Sequence, residues 1–405
     1  MKILLLTQWF DPEPTFKGLA FARELQQQGH QVQVLTGFPN YPGGKIYDGY
    51  KLKLYQREQI DGISVLRVAL FPDHGSSALK RILNYISFAF MALLFGIFAT
   101  KKADVIYAYH PPLTVGLAAI FIKLFRRIPI VYDIQDMWPD TLKATGMLNN
   151  QRILNIVGHV CHLVYSYVDH IVVLCPGFKK LLVERGVSED KVSVIYNWCD
   201  ENSLTQAEPI KVDYQNLLKD RFNIIFAGNM GKAQSLDTIL DVAKELKIEK
   251  KIQFVFVGAG TETDRLKQRV IHESIENIVF IPRLPMSEVG GVLDYADVLL
   301  VHLKRDPLFE ITVPCKTQAY MAIGKPLLMA VSGDAADLVQ EAQCGRVARS
   351  EDVDNIKTAI LEIYHLPTDG QHQLGFNAKQ FYDEKLSLSY GTQQFIEIFK
   401  RVKDA

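Results

Sequence analysis

The sequence has no excess of charge: 45 lysines and arginines are matched by 45 aspartates and glutamates. A balanced chain sets up no global field for nucleic acid or an acidic polymer, so any electrostatic targeting has to come from local clusters. Cysteine is scarce and unpatterned. Cys161, Cys175, Cys199, Cys315 and Cys344 lie far apart with no CxxC spacing, which argues for a reducing compartment and against a disulfide framework or a structural zinc site. The common nucleotide fingerprints are missing as well. The first apolar run leads into Trp9-Phe10-Asp11-Pro12-Glu13-Pro14 rather than GxGxxG, and no GxxxxGK[ST] loop occurs, which excludes P-loop chemistry and argues against a dinucleotide-dependent dehydrogenase. The sole D-x-D triplet, Asp352–Asp354, opens a late helical stretch, where acidic residues suit the helix dipole better than a metal-nucleotide site. No metal site is expected. The apolar start, Met1–Thr7, is too short for a signal core and has no small-residue cleavage site after it, so it reads as a buried strand.

What the chain does have is alternation. With 405 residues, two domains are the natural division. In the first half, short apolar runs at Lys2–Gln8, Gln31–Gly37, Val105–Tyr109, Pro129–Ile134, His170–Cys175 and Val192–Asn197 are separated by periodic stretches such as Phe16–Gln28, closed by Gly29. The runs are continuously apolar, as parallel strands covered on both faces require. Tyr50–Leu70 differs: two alternating runs flank Asp61-Gly62, the signature of an antiparallel hairpin. A polar stretch, Cys199–Arg221, is the expected linker. The pattern then restarts at Phe222–Gly228, Ile252–Gly258, Asn277–Pro282, Val298–Leu303 and Pro326–Val331. The expectation is an α/β chain of two doubly wound domains, 1–200 and 201–375, with C-terminal helices over 376–405 packing back on the first domain. Ligands of such sheets bind outside the carboxyl ends of the strands, so two facing halves put the chemistry in the cleft between them.

The loops of the second half carry most of the chemical signal. Its first strand ends in Gly228-Asn229-Met230-Gly231-Lys232-Ala233-Gln234. Two glycines and a lysine at the mouth of a helix allow backbone N–H groups to approach a diphosphate; an ordinary strand-to-helix turn with a solvated lysine is the other reading. Gly258 ends the next strand with Arg265 on the following helix, and Phe280–Pro285, containing Arg283, is a rigid loop that suits the wall of a nucleobase slot; a plain strand-to-helix turn is the other reading of each, and the better one for either alone. In the stretch Glu310-Ile311-Thr312-Val313-Pro314-Cys315-Lys316, Pro314 is expected to start a short helix that Gly324 stops. Such a helix start presents orphan N–H groups to an anion.

On these residues, with Pro39–Gly44, Tyr109-His110-Pro111-Pro112, Asp133–Pro139 and Pro314–Ala322, the whole chain resembles glycosyltransferase family 4, the retaining enzymes of GT-B architecture. Within that family it resembles the bacterial N-acetylfucosamine-type transferases of O-antigen, capsule and exopolysaccharide assembly. The resemblance implies two facing Rossmann-like domains, a UDP-sugar as donor substrate and no further cofactor. His110 matches the histidine that contacts the donor sugar, and Lys232 and Glu310 fall beside the family's catalytic positions. Gly228, Asn229, Gly231, Gln234, Gly258, Arg265, Arg283, Thr312, Val313, Pro314 and Lys316 fall on the donor side. Glu13, Lys17, Asp136 and Trp138 fall on the acceptor side; Trp138 also suits a core position. The chain departs from the pattern in three places. Asn229 stands where many members have arginine, Gln234 where they have lysine, and the paired glutamates would fall at Ile311 and Ala319.

One further segment is unusual for a doubly wound domain. Ile82–Ala99 is apolar all round and bracketed by Lys80-Arg81 and Lys101-Lys102, with Lys123, Arg126 and Arg127 adding a second basic cluster. It precedes a strand of the same sheet, so crossing a bilayer would tear that sheet apart. A buried core helix or a helix seated in the membrane interface remain. The expectation is the second: a peripheral enzyme on the cytoplasmic face of the bacterial inner membrane, taking a lipid-linked saccharide as acceptor. A UDP-sugar 2-epimerase of the same fold and a non-catalytic nucleotide-sugar-binding subunit are the competing readings.

Overall fold

The computed structural model describes residues 1–75, 77–144, 147–201, 204 and 210–405. Residues 202, 203 and 205–209 of the expected linker lie outside the described residues. The chain forms two compact units, one of Met1–Tyr196 with Leu388–Ala405 and one of Asn197–Ser387.

The first unit is built on a sheet whose strands are β1 (Lys2–Leu6), β2 (Gln31–Gly37), β3 (Tyr55–Ile60), β4 (Ile63–Val68), β5 (Val105–His110), β6 (Ile130–Ile134), β7 (His170–Val173) and β8 (Val192–Val194). Their order is β3-β4-β2-β1-β5-β6-β7-β8. All pairings are parallel except β3 with β4. The central strands read Leu4-Leu5-Leu6 and Val105-Ile106-Tyr107 and are fully buried, because helices cover both faces. The hairpin closes at Asp61 and Gly62, both with positive φ (50° and 81°), as the two-residue turn requires.

The helices of this unit are α1 (Leu19–Gln27), α2 (Ala78–Phe98), α3 (Thr114–Arg126), α4 (Asp140–Ala144), α5 (Gln151–Tyr167) and α6 (Pro176–Glu184). Helix α2 turns Asn84, Phe88, Ala92 and Gly96 inward at four-residue spacing. Gly96 leaves room for Ile122 of α3, since a Cβ there would collide with it. The opposite side of α2 carries Ile82, Ile86, Phe90, Leu94 and Phe98, all exposed, so that most of this apolar helix is left uncovered. The C-terminal helix Leu388–Asp404 packs on α1, with Phe395 edge-on to Phe21 and Tyr107.

The second unit has a six-stranded sheet of order β11-β10-β9-β12-β13-β14, parallel throughout. Its strands are β9 (Phe222–Asn229), β10 (Ile252–Ala259), β11 (Ile278–Ile281), β12 (Val298–His302), β13 (Leu327–Ala330) and β14 (Gly345–Val347). Ile224, Phe226, Phe254 and Phe256 of its central strands fill the core with Leu240 and Ile360 from the covering helices. Two boundaries differ from the sequence reading. The helix Thr368–Lys385 stays in the second unit, and only Leu388–Asp404 returns to the first. Gly375 is the reason: it packs against the backbone of Gly324 so closely that no side chain fits between them. The helix after Pro314 begins at Lys316, with Cys315 as its N-cap, and a separate short helix, Pro307–Glu310, precedes it.

Candidate functional site

In the first unit the predicted residues gather where β1, β5 and β6 end. His110 closes β5 with 2% of its surface exposed, edge-on to Trp138 at 5.3 Å and to Tyr132 at 5.9 Å. Its Nδ1 is buried with no hydrogen-bond partner. Burial pushes the imidazole down to about 3, so the ring is neutral at physiological pH and keeps an unused nitrogen at the strand end. Asp136 lies in the same loop, and burial raises its carboxyl above the usual range. Trp138 is half-buried and its ring meets His110.

Glu13 is buried and accepts backbone N–H groups from Phe10 (3.2 Å), Asn40 (2.7 Å) and Tyr41 (2.8 Å). Burial pushes its carboxyl up to about 7 against the pull of those three donors. It joins the loop after β1 to the Pro39–Gly44 loop after β2. Lys17 departs from its expected acceptor contact. It is fully buried, with Nζ 2.6 Å from Asp133, which also accepts from Tyr107 Oη (2.5 Å) and Gln135 Nε2 (2.6 Å). A lysine paired inside the core is a structural pin, and freeing it for a ligand would strand a buried carboxylate.

Sequence reasoning missed the aromatic cluster around Tyr41. Trp9 stacks on Tyr41 with centroids 4.4 Å apart, and His74 stands edge-on to Tyr41 at 5.0 Å. Trp9 Nε1 and His74 Nε2 have no partner. An indole in a loop directly after the first strand was the available signal; His74 gave none. Asn84 of α2 ties this region to the apolar helix, accepting from Gln8 Nε2 at 2.5 Å and donating to Asn40 Oδ1 at 3.2 Å.

In the second unit β9 and β10 end side by side at Gly228 and Gly258, with φ of 140° and 135°. Only glycine adopts these angles without strain, and a Cβ on Gly258 would strike the Gly228 carbonyl. Lys316 lies beside this opening. A Cβ placed on Gly228 would sit 3.3 Å from its Nζ. The ammonium rests 3.6 Å over the Phe226 ring, shut off from solvent and without a hydrogen-bond partner. Desolvation lowers it to about 7. Tyr320, one turn further on, fixes the helix to β9, accepting from Ala227 N (2.8 Å) and donating to Ala227 O (3.2 Å).

The loop Gly231–Gln234 closes on itself, Gly231 N donating to Gln234 Oε1 at 3.0 Å, which leaves Lys232 exposed. His302, not anticipated from sequence, fastens this loop to its neighbour. Its Nδ1 donates to Gln234 O (2.7 Å) and its Nε2 accepts from Glu351 N (3.2 Å), while Lys304 N donates to Ala233 O (2.9 Å). Thr312 spends its hydroxyl on Leu308 O at 2.6 Å, Val313 is buried, and Glu310 and Asn229 face solvent. Arg283 is exposed. Arg265 departs from the donor role: Asp237 (2.5 and 2.9 Å) and Glu262 (2.8 Å) hold its guanidinium in a half-exposed ion-pair cluster. Its charge is already neutralised there.

Two α/β units, each on a largely parallel sheet and the second with glycine-opened strand ends, describe the GT-B class. Comparison with known proteins agrees. Residues 19–198 match the model of the glycosyl transferase 4-like domain, and residues 210–381 match that of glycosyl transferases group 1. The putative colanic acid biosynthesis glycosyl transferase WcaI of Escherichia coli is 26% identical over 340 residues, 80% of this chain and 82% of that one. The probable glycosyltransferase WbjE of Pseudomonas aeruginosa is 25% identical, over 63% of this chain and 66% of its own length. The crystal structure of Anabaena HepE in complex with UDP-glucose aligns with a TM-score of 0.69 at 15% identity, covering 99% of this chain and 100% of that one. The chain belongs to the glycosyltransferases and has the GT-B fold.

Proposed function

We propose that this enzyme transfers a sugar from a UDP-sugar to a lipid-linked saccharide, with retention, in the synthesis of a bacterial surface polysaccharide. The observation that carries the donor half is Lys316, a buried ammonium with no partner beside two strand ends that only glycine can form. A buried cation without a counter-charge is costly unless a ligand supplies one. The diphosphate of a nucleotide sugar does so, with the N–H groups near Gly231 and the ammonium of Lys232 as further donors. When the anomeric C–O bond breaks, charge collects on the β-phosphate. Fixed N–H groups and two lysines stabilise it where it develops. The neutral His110 imidazole, with its unused nitrogen, suits a contact to a sugar hydroxyl. No residue at the paired-glutamate positions offers a carboxylate, Ile311 and Ala319 standing there, so attack by the acceptor hydroxyl on the face the leaving group departs from is the favoured route.

The acceptor half is supported by α2. Its outward stripe of Ile82, Ile86, Phe90, Leu94 and Phe98 continues onto exposed Phe121, Leu124 and Phe125 of the adjacent α3. Apolar surface of this extent, flanked by lysines and arginines, suits the interface of an anionic membrane better than open water. Both WcaI, named for colanic acid biosynthesis, and HepE, solved with UDP-glucose, support the pairing of polymer synthesis with a UDP-sugar. An N-acetylated 6-deoxy amino sugar is our proposal for the group transferred, on overall resemblance.

Calorimetric titration of a nucleotide-sugar panel tests the donor site. UDP-sugars bind the wild-type chain, and Lys232→Ala with Lys316→Ala weakens binding and slows turnover by about a hundredfold or more. Wild-type turnover in both variants would dismiss the diphosphate cradle.

A further inference from the structure

The first unit carries a second feature at the opposite end of its strands, where β6 and β7 begin. A cavity of about 720 Å³ opens there between the end of α3, the start of β7 and the C-terminal helix. Four cationic side chains line it, Lys123, Arg127, Arg401 and Lys403, against the carboxylates of Asp169 and Asp190. Lys123 is spent on Asp169, whose oxygens lie 2.7 Å from its Nζ and also accept from Ile130 N at 2.8 Å. Asp190 is exposed. Among the described residues, Arg127, Arg401 and Lys403 form no ion pair.

Arg401 shows the imbalance most clearly. Its guanidinium reaches the ring of His170, 3.1 Å from Nε2, instead of a carboxylate. His170 is itself buried and shares Nε2 with Ser193 Oγ at 2.9 Å. Burial, then Arg401 and Lys191, push it down to about 4, so the ring is neutral at physiological pH and leaves the charge of the guanidinium uncompensated. Two arginines and a lysine that line one cavity with no ion pair of their own, against the exposed carboxylate of Asp190, outnumber the anions there and suit a phosphate, whose oxygens accept the planar guanidinium fork in pairs. The cavity exceeds what bare phosphate fills and falls in the range that holds small organic ligands.

We propose that this cavity binds a phosphate ester, held by Arg127, Arg401 and Lys403 and separate from the glycosyl-transfer loops. The proposal does not depend on the donor assignment; its lipid form shares Leu124, Phe125 and Arg127 with the membrane face proposed above, and its soluble form does not rest on that reading. The ester is either a soluble metabolite or the headgroup of a phospholipid; Leu124, which lines the cavity, and its neighbour Phe125 are both exposed.

The full chain is compared with Arg401→Gln/Lys403→Gln, with Arg127→Asn, and with Lys247→Gln/Lys250→Gln, two exposed lysines of the second unit, as a control for surface charge outside both the cavity and the α2 face. Asparagine tolerates the left-handed backbone at position 127, where φ is 54°. The probes are glycerol 3-phosphate by calorimetry, and sedimentation with phosphatidylcholine vesicles with and without phosphatidylglycerol. A soluble ester is indicated when glycerol 3-phosphate binds the wild type and the control, and both cavity variants weaken it about tenfold. A lipid headgroup is indicated when phosphatidylglycerol strengthens vesicle binding about tenfold and both cavity variants lose that gain while the control keeps it. Should Arg401→Gln/Lys403→Gln melt below the wild type, Arg127→Asn alone decides. The proposal is overturned if neither probe separates the cavity variants from the wild type, or if the control loses as much as they do.

Discussion

Lys316 holds its ammonium where water does not reach it, and that has a measurable cost. Its folded-state value is lowered from 10.5 to about 7 by desolvation. Below pH 7 both folded and unfolded chains carry the proton, and the fold bears the whole penalty. Between pH 7 and 10.5 only the unfolded chain binds it, so this residue's contribution to stability improves as pH rises, by up to about 1.4 kcal/mol per unit. Lys316→Met is expected to raise the melting temperature at pH 7 and to flatten this rise, measured as the difference between variant and wild type from pH 7 to 9. The same variant loses donor affinity, since in the proposed site the diphosphate needs the ammonium. Equal melting temperatures with full donor binding would mean that the ammonium is neither buried nor used. His110 gives the complementary case. Being neutral above about 3, it adds no inflection to the pH–rate profile between pH 5 and 8. His110→Gln should slow turnover by about a hundredfold while leaving the shape of that profile unchanged. A lost inflection near pH 6 to 7 would assign the ring a proton-transfer role instead.

Among the elements, α2 departs furthest from the ordinary pattern of a doubly wound domain. Its inward face is specified by Asn84, Phe88 and Ala92, and its outward face is nearly as apolar, so periodicity alone did not reveal which side packs. The structure supplies that side, and with it the tie through Asn84 to the loops after β1 and β2. In the proposed membrane seating, the wild type sediments with membranes, and Ile86→Glu with Phe90→Glu should leave the variant in the soluble fraction. Its melting temperature should change little, because both side chains are more than half exposed. Loss of folding instead would show that the stripe is covered by protein. The strands were legible for a simple reason: burial on both faces makes Leu4–Leu6 or Phe254–Val257 continuously apolar. β14 was not, since Gly345-Arg346-Val347 is three residues long and only partly buried. The helix start at Lys316 was misplaced by two residues because Pro314 is permitted at a first turn but does not compel one.

For the whole molecule, alternation of strands and helices was enough to give two units and their approximate boundary, but not where the chain returns to its beginning. That point is set by the close approach of Gly324 and Gly375, a pairing of distant glycines that no local pattern announces. The placement of candidate site residues was legible where a rule links sequence to geometry: glycines at strand ends, a histidine closing β5, a lysine at a helix start. It was not legible for Lys17, Arg265 and His302, whose roles depend on partners far along the chain at Asp133, Asp237 and Gln234. The central claim is that the chain moves a sugar onto a lipid-linked saccharide with its anomeric configuration kept. The direct measurement incubates the purified chain with radiolabelled UDP-sugars and polyprenyl-diphosphate-linked saccharide, extracts the lipid and determines the new linkage by NMR. The account predicts label in the lipid fraction with the donor's anomeric configuration. Label released as free or 2-epimerised sugar, or a linkage of inverted configuration, would contradict it.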